Sequence, residues 1–287
     1  MYTTYDHEWK GLTFRIAEWT GGSPTIVGIH GLAGNHKHFT ALANELSPEY
    51  RVLAYDVRGR GNSSRAEQDS SILLHAEDTI ELIESLGIKS PILIGHSMGA
   101  FIAAIVASKY KNLAGVVLVD GAGLLTSKEI EIVKPALDRL GKSFPSKEAY
   151  IHHSQNIYHA MGLEWNEYFE EGILYGVEEV DGQVRFKGEP EVIMKDLESI
   201  ERDFDHKQIC SSIACPVLLV IANGKIGGSP VYTEESYSKT KEYTANLQSY
   251  LSDANHYSIL LDRQPDLAHR IKQFIAEISE SDLKGDH

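Results

Sequence analysis

The sequence predicts an α/β fold: a mostly parallel central sheet with helices on both faces and an inserted helical cap. Three observations predict it. Short aliphatic runs alternate with longer segments of helical spacing, the order that builds parallel strands joined by crossover helices. Runs such as Ile92-Leu93-Ile94 and Val116-Val117-Leu118-Val119 carry no alternating polar residues, as strands buried on both faces require. This texture stops near residue 122 and returns after residue 208. The expected organisation is therefore a core of residues 1–121 and 209–287 with a helical cap of residues 122–208.

The elements justify themselves in order. Residues 12–19 alternate and read as a strand, followed by the turn Gly21-Gly22-Ser23-Pro24. Residues 25–29 form the next strand, ending at His30-Gly31-Leu32-Ala33-Gly34. Phe39, Leu42, Ala43 and Leu46 have helical spacing, and residues 51–55 form a strand that ends at Asp56 and enters the glycine-rich loop 58–63. Residues 75–86 make an amphipathic helix stopped by Gly87. A strand over 91–94, a buried helix over 100–107 and a strand over 116–119 follow. Strands return at 216–221 and 246–251, and 267–278 is a final amphipathic helix before a polar, frayed tail from Ser279.

Composition narrows the function. Of 287 residues, 27 are basic and 41 acidic, a net charge of −14, which argues against nucleic acid or an anionic membrane as partner. Fourteen acidic and four basic residues fall between Glu164 and Asp205, so much of that charge sits in the inserted segment. No apolar run approaches a membrane span, and the first residues lack the basic and apolar regions of a signal peptide. Cys210 and Cys215 read as reduced thiols, and a cytoplasmic monomer or homodimer is expected.

The chemistry centres on Gly95-His96-Ser97-Met98-Gly99, between a buried strand and a buried helix. This is the nucleophile-elbow pattern, in which a tight turn needs small residues two before and two after the serine. Ser97 is then held in a strained conformation at a helix N-terminus, whose dipole favours developing negative charge. A base is needed within reach. His256 is the candidate because it lies just past the last strand and before the last helix, at the sheet edge that carries the elbow. The oxyanion needs two donors. The N–H of Met98 follows the nucleophile, and the N–H of Leu32 lies in the glycine loop after the strand at 25–29.

With these residues in place, the chain resembles the α/β-hydrolase superfamily, and within it the single-domain esterase-like serine hydrolases with a helical cap. The matching stretches are His30 to Gly34, Asp56 to Ser63, Gly95 to Gly99, Pro216 to Val220, and Asn255-His256, in the family's order over nearly all of the chain outside the cap. The resemblance implies a Ser–His–acid triad. One position departs from the pattern: Lys225 stands where most relatives carry the acid after the strand at 217–221, and no carboxylate follows until Glu234. A lysine can neither hold an imidazole as a carboxylate does nor stabilise an imidazolium. The favoured replacement is Asp120, which ends the strand at 116–119, as in some relatives. Asp253, close to His256 in sequence, and a site without an acid remain open.

Asp56, Arg58 and Ser63 are expected to hold a loop beside the site. Neither His36-Lys37-His38 nor His152-His153 has the spacing of a metal site, and no cofactor is expected. The cap should roof Ser97 with apolar and aromatic side chains drawn from Leu124, Leu125, Ile157, Tyr158, Met161, Trp165, Tyr168, Phe169 and Tyr175. Its acidic field favours a neutral or cationic substrate. The expected function is a serine hydrolase, carboxylesterase-like, cleaving an ester of a small to medium neutral substrate. A C–C bond hydrolase or lactonase on the same triad, or a low-turnover ligand-binding or signalling homologue, are the alternatives.

Overall fold

The computed structural model describes residues 2–66 and 69–285, so residues 1, 67–68 and 286–287 of the expected core lie outside it. The chain opens with β1 (Tyr2–Trp9), β2 (Leu12–Trp19) and β3 (Gly22–Ile29), then α1 (Thr40–Leu46), β4 (Tyr50–Tyr55), α2 (Ile72–Ser85), β5 (Ile92–His96), α3 (Met98–Lys109) and β6 (Gly115–Val119). The inserted segment contains α4 (Ser127–Leu137), β7 (Ser143–Phe144), α5 (Lys147–Ala160), α6 (Glu167–Tyr175), β8 (Val177–Val180), β9 (Gln183–Phe186) and α7 (Pro190–Asp203). The chain then returns through α8 (His206–Ser211), β10 (Val217–Ala222), α9 (Ser238–Tyr243), β11 (Leu247–Ser252), α10 (Ser258–Leu261) and α11 (Pro265–Gly285).

Eight strands form one sheet in the order β1-β2-β4-β3-β5-β6-β10-β11. The pairs from β4 to β11 are parallel, while β1–β2 and β2–β4 are antiparallel. The central strands bury side chains on both faces. Leu93, Val116, Leu118, Val217 and Leu219 pack with α2, α3 and α8, while Ile92, Ile94, Val117, Val119, Leu218 and Val220 pack with α1 and α11. That two-sided burial is why these strands read as continuous apolar runs. It also makes α3 apolar all round, since every residue from Met98 to Ala107 is buried.

Four sequence expectations need correction. A strand, β1, precedes the first one expected. Its residues are largely polar because it is an exposed edge strand, and it joins β2 through Lys10-Gly11, both at positive φ. The inserted segment is not wholly helical: β7, β9 and β8 form a three-stranded antiparallel sheet. Its signal was present in Asp181-Gly182, whose positive φ angles of 52° and 71° close the hairpin between β8 and β9. The expected boundary at residue 208 cuts through α8, which packs on α3 and α9 of the core. Finally, the last helix does not fray at Ser279 but runs on to Gly285.

Candidate active site

The elbow has the geometry that its glycines imply. Ser97 lies between β5 and α3 at φ 54° and ψ −121°, a conformation that L-residues rarely adopt. Three glycines make the close approach possible. A Cβ at Gly95 would overlap the Gly99 carbonyl, one at Gly99 would overlap the Ile29 carbonyl, and one at Gly121 would overlap the Ser97 carbonyl. Gly121 was not singled out by the motif, because it lies on the neighbouring strand end and meets the turn only in space. The Ser97 N–H donates to the Val119 carbonyl at 3.0 Å, tying the elbow to β6.

The same strand end supplies the carboxylate. Asp120 follows β6 directly, is fully buried and has a positive φ of 42°. Its Oδ2 lies 2.7 Å from His256 Nδ1. Its Oδ1 accepts from the Ala222 N–H at 3.1 Å and from the Tyr237 hydroxyl at 3.0 Å. Tyr237 was missed by sequence reasoning, since a tyrosine in the polar stretch after β10 gives no signal of where it points. Burial, with Asp120 alongside, pushes its hydroxyl well above the ordinary tyrosine range, so it stays a donor. Lys225, at the position where the resemblance leads one to expect the acid, is exposed and does not line the cavity. Asp253 is exposed too. Instead of presenting an acid, Asn223 and Gly224 hydrogen-bond alongside the chain after β11, to the carbonyls of Ser252 and Ala254 at 2.8 and 2.9 Å.

His256 and Ser97 border one cavity, of about 90 Å³. Its floor includes Gly31, Leu32, Ser97 and Met98, and the inserted segment closes it with Leu125, Val133, Leu137, Tyr158, Leu197 and Ile200. A space of that size takes a handful of water-sized groups. Of the cap residues expected beside the serine, Leu125 and Tyr158 line the cavity, whereas Trp165 and Phe169 stack behind Tyr158 and Tyr175 points away to Asp56.

The loop that carries Leu32 is held from two sides. His30 Nδ1 donates to the Gly31 carbonyl at 2.8 Å and its Nε2 accepts from the Val57 N–H at 2.9 Å, a pattern that requires the neutral ring. Burial accordingly lowers the His30 pKa to about 4. On the other side Arg60 Nε donates to the Leu32 carbonyl at 2.9 Å. Arg60 is buried, and its Nη2 lies 2.6 Å from Asp196 on α7, which His75 Nε2 also approaches at 3.1 Å. Gly31 lets this loop come close to the elbow: a Cβ there would sit 3.2 Å from Ser97 Cβ. Met98 is the first residue of α3, so its N–H has no intrahelical acceptor. His96 completes the frame. Its Nε2 donates to the His256 carbonyl at 2.8 Å, and burial keeps the ring neutral by pushing its pKa well below the ordinary value.

Asp56 anchors the loop beside the site. Its Oδ1 accepts from the His36 N–H and Nδ1, both at 2.8 Å, and its Oδ2 accepts from the Asn62 N–H at 2.9 Å and the Tyr175 hydroxyl at 2.7 Å. Arg58 pairs with Asp78 on α2, and the Ser63 hydroxyl donates to the Asp56 carbonyl. The neighbouring histidines separate: His36 turns to Asp56 while His38 lines the cavity, and His152 is exposed beside Asn156.

A strand-to-helix elbow with a buried His–Asp pair across one cavity from its serine defines a class of fold and site. The chain belongs to the alpha/beta hydrolase fold family, whose model matches residues 24–260. It is 28% identical over 144 residues to 2-(acetamidomethylene)succinate hydrolase of Mesorhizobium japonicum, covering 49% of this chain and 51% of that one. It is 31% identical over 120 residues to an uncharacterized protein of Mycobacterium tuberculosis, covering 42% of this chain and 34% of that one. The chain thus spans about a third to a half of the length of these curated relatives. The crystal structure of E-2-(acetamidomethylene)succinate hydrolase superposes with a TM-score of 0.83 at 21% identity, over 96% of this chain and all of that one, a likeness of fold. Among the described residues no helix is long and apolar enough to cross a membrane.

Proposed function

We propose that this protein is a serine hydrolase that cleaves a carboxylic ester through an acyl-enzyme on Ser97. The observation that carries the reading is the 2.7 Å contact between His256 Nδ1 and Asp120, with the other edge of the imidazole on the cavity that Ser97 borders. Asp120 holds the ring in the tautomer whose Nε2 can accept a proton and stabilises the imidazolium that results. Ser97 Oγ attacks the carbonyl carbon as His256 takes its proton. The carbonyl electrons move onto oxygen, which the N–H groups of Leu32 and Met98 receive. His256 then protonates the leaving alcohol, and water reverses the sequence to release the acid. Each oxyanion donor contributes roughly 3 kcal/mol to the transition state.

In this reading Asp120 takes the place of the acid absent at Lys225, and the inserted segment acts as a cap that excludes water from the acyl-enzyme. Family membership and the small, mainly apolar cavity support the reading, and the hydrolase names carried by relatives agree with it. The test is steady-state hydrolysis of a short 4-nitrophenyl ester by the wild type and by Ser97→Ala. Multiple turnovers that fall by at least ~10³-fold in the variant are expected. Turnover unchanged by the substitution would overturn the mechanism, and a single acylation without release would favour a binding protein.

A further inference from the structure

The cavity that holds Ser97 also holds a buried guanidinium. Arg139 follows α4 in the inserted segment, is 5% exposed and lines the cavity. Its Nη1 donates to the Tyr150 hydroxyl at 2.8 Å and the guanidinium also hydrogen-bonds the Tyr158 hydroxyl, while its buried Nε has no hydrogen-bond partner. No carboxylate lies within ion-pair distance of it among the described residues. This contrasts with the other buried arginine, Arg60, which faces Asp196. A cation taken out of water without a counter-charge is strongly disfavoured unless something else supplies that charge.

The other ionisable groups around the cavity do not supply it. Glu129 lines the cavity as well but forms no ion pair with Arg139: its Oε2 accepts from the N–H and hydroxyl of Thr126 at the start of α4, and its Oε1 accepts from Ser236 Oγ at 3.5 Å. His38 and His96 are held neutral by burial. Asp120 is engaged by His256, Tyr237 and Ala222. Burial raises the hydroxyls of Tyr232 and Tyr257 well above the ordinary tyrosine range, so neither supplies a negative charge. A planar guanidinium with an open N–H edge matches one chemistry above others, a carboxylate bound through parallel hydrogen bonds.

We propose that Arg139, braced by Tyr150, binds a carboxylate of the substrate, so that the ester cleaved at Ser97 carries a free acid on its acyl or alcohol portion. This rests on the hydrolase reading for the reaction but not for the binding. It replaces the neutral substrate expected from overall charge: the acidic residues of the inserted segment set the field outside, and Arg139 sets the charge inside.

The experiment uses matched pairs: monomethyl succinate, glutarate and adipate against methyl butyrate, valerate and hexanoate, together with carboxymethyl esters of acetic and butyric acid against the corresponding ethyl esters for an acid on the alcohol side. Affinity is measured by calorimetry on the Ser97→Ala protein, and kcat/KM by acid release from the wild type. At least one acid ester is expected to exceed its neutral partner tenfold or more in both. Arg139→Gln should reduce that ratio at least tenfold. Arg139→Lys should reduce it in part, because the charge remains and the paired hydrogen bonds do not. Should the glutamine variant fail to fold, the lysine variant carries the test, and an unchanged ratio there overturns the proposal. A ratio near one for every pair in the wild type overturns it outright while leaving ester hydrolysis intact. An acid preference in binding that depends on Arg139, without turnover of any ester, sustains the carboxylate site and removes the esterase reading.

Discussion

Among the described residues, two of the buried histidine–aspartate pairs are built alike. Asp56 follows β4 and Asp120 follows β6. Each is fully buried, each touches a histidine Nδ1 (His36 at 2.8 Å, His256 at 2.7 Å), and each also accepts from a backbone N–H and a tyrosine hydroxyl. What differs is the far side of each imidazole. His36 Nε2 is buried with no hydrogen-bond partner, and the His36 ring packs edge-on against Tyr175. His256 faces the cavity shared with Ser97. The pair alone is therefore a way of fastening a strand end, and an open space beside a nucleophile gives it chemical use.

Conservative substitutions should separate the two pairs. Asp120→Asn keeps the shape but favours the wrong His256 tautomer, and kcat should fall by ~10⁴-fold with little change in thermal midpoint. An activity within tenfold of wild type would remove Asp120 from the mechanism. Asp56→Asn should do the reverse. It weakens a buried hydrogen-bond network in which the Asp56 carboxylate accepts from His36, Asn62 and Tyr175, so it should cost roughly 3 kcal/mol in denaturant unfolding while the folded fraction keeps most of its turnover. Equal losses of kcat in both variants would erase the distinction.

Acid should reveal a weakness common to this frame. His30 has its pKa lowered to about 4 by burial, whereas the unfolded chain takes up a proton near the ordinary value of 6.5. Below pH 6.5 the unfolded state therefore binds more protons, and stability falls with pH until His30 itself titrates near 4. A shift of that size corresponds to about 3 kcal/mol. His96, also lowered by burial, adds to the same slope. Unfolding followed from pH 7 to pH 4 should show the decline, and a flat profile would mean that these rings are not kept neutral. The smallest effect is expected at Tyr237→Phe. It removes one of three donors to Asp120 and should cost about 1 kcal/mol of stability with a several-fold change in kcat. A loss as large as that of Asp120→Asn would make Tyr237 part of the chemistry.

How much of this was legible varied by residue. The central strands could be read because burial on both faces leaves uninterrupted aliphatic runs. The elbow could be read because the tight turn permits only small neighbours at Gly95 and Gly99. β1 escaped because an exposed edge strand has no apolar face to display. The small sheet of the inserted segment escaped although Asp181-Gly182 marked its hairpin, because its strands are only two to four residues long. Arg60, Tyr237 and Arg139 gave no local signal of their roles: the Leu32 carbonyl that Arg60 holds is 28 residues away in sequence, the Asp120 partner of Tyr237 is 117 away and the Tyr150 partner of Arg139 is 11 away, and nothing in a linear pattern says which charges will be buried.

The sequence by itself determined the layered α/β architecture, the strained serine and the glycine loop beside it, since each follows from short-range sterics and from the period of apolar residues. It also offered Asp120 and His256 as partners. Only the tertiary structure decided that they meet, because 136 residues separate them and their contact depends on β6 and β11 flanking β10 in one sheet. The same is true of Lys225, which the fold leaves in solvent, and of Arg139, which it places beside the serine. Covalent order sets what each segment can form, but charge is given its role by the solvent that folding removes.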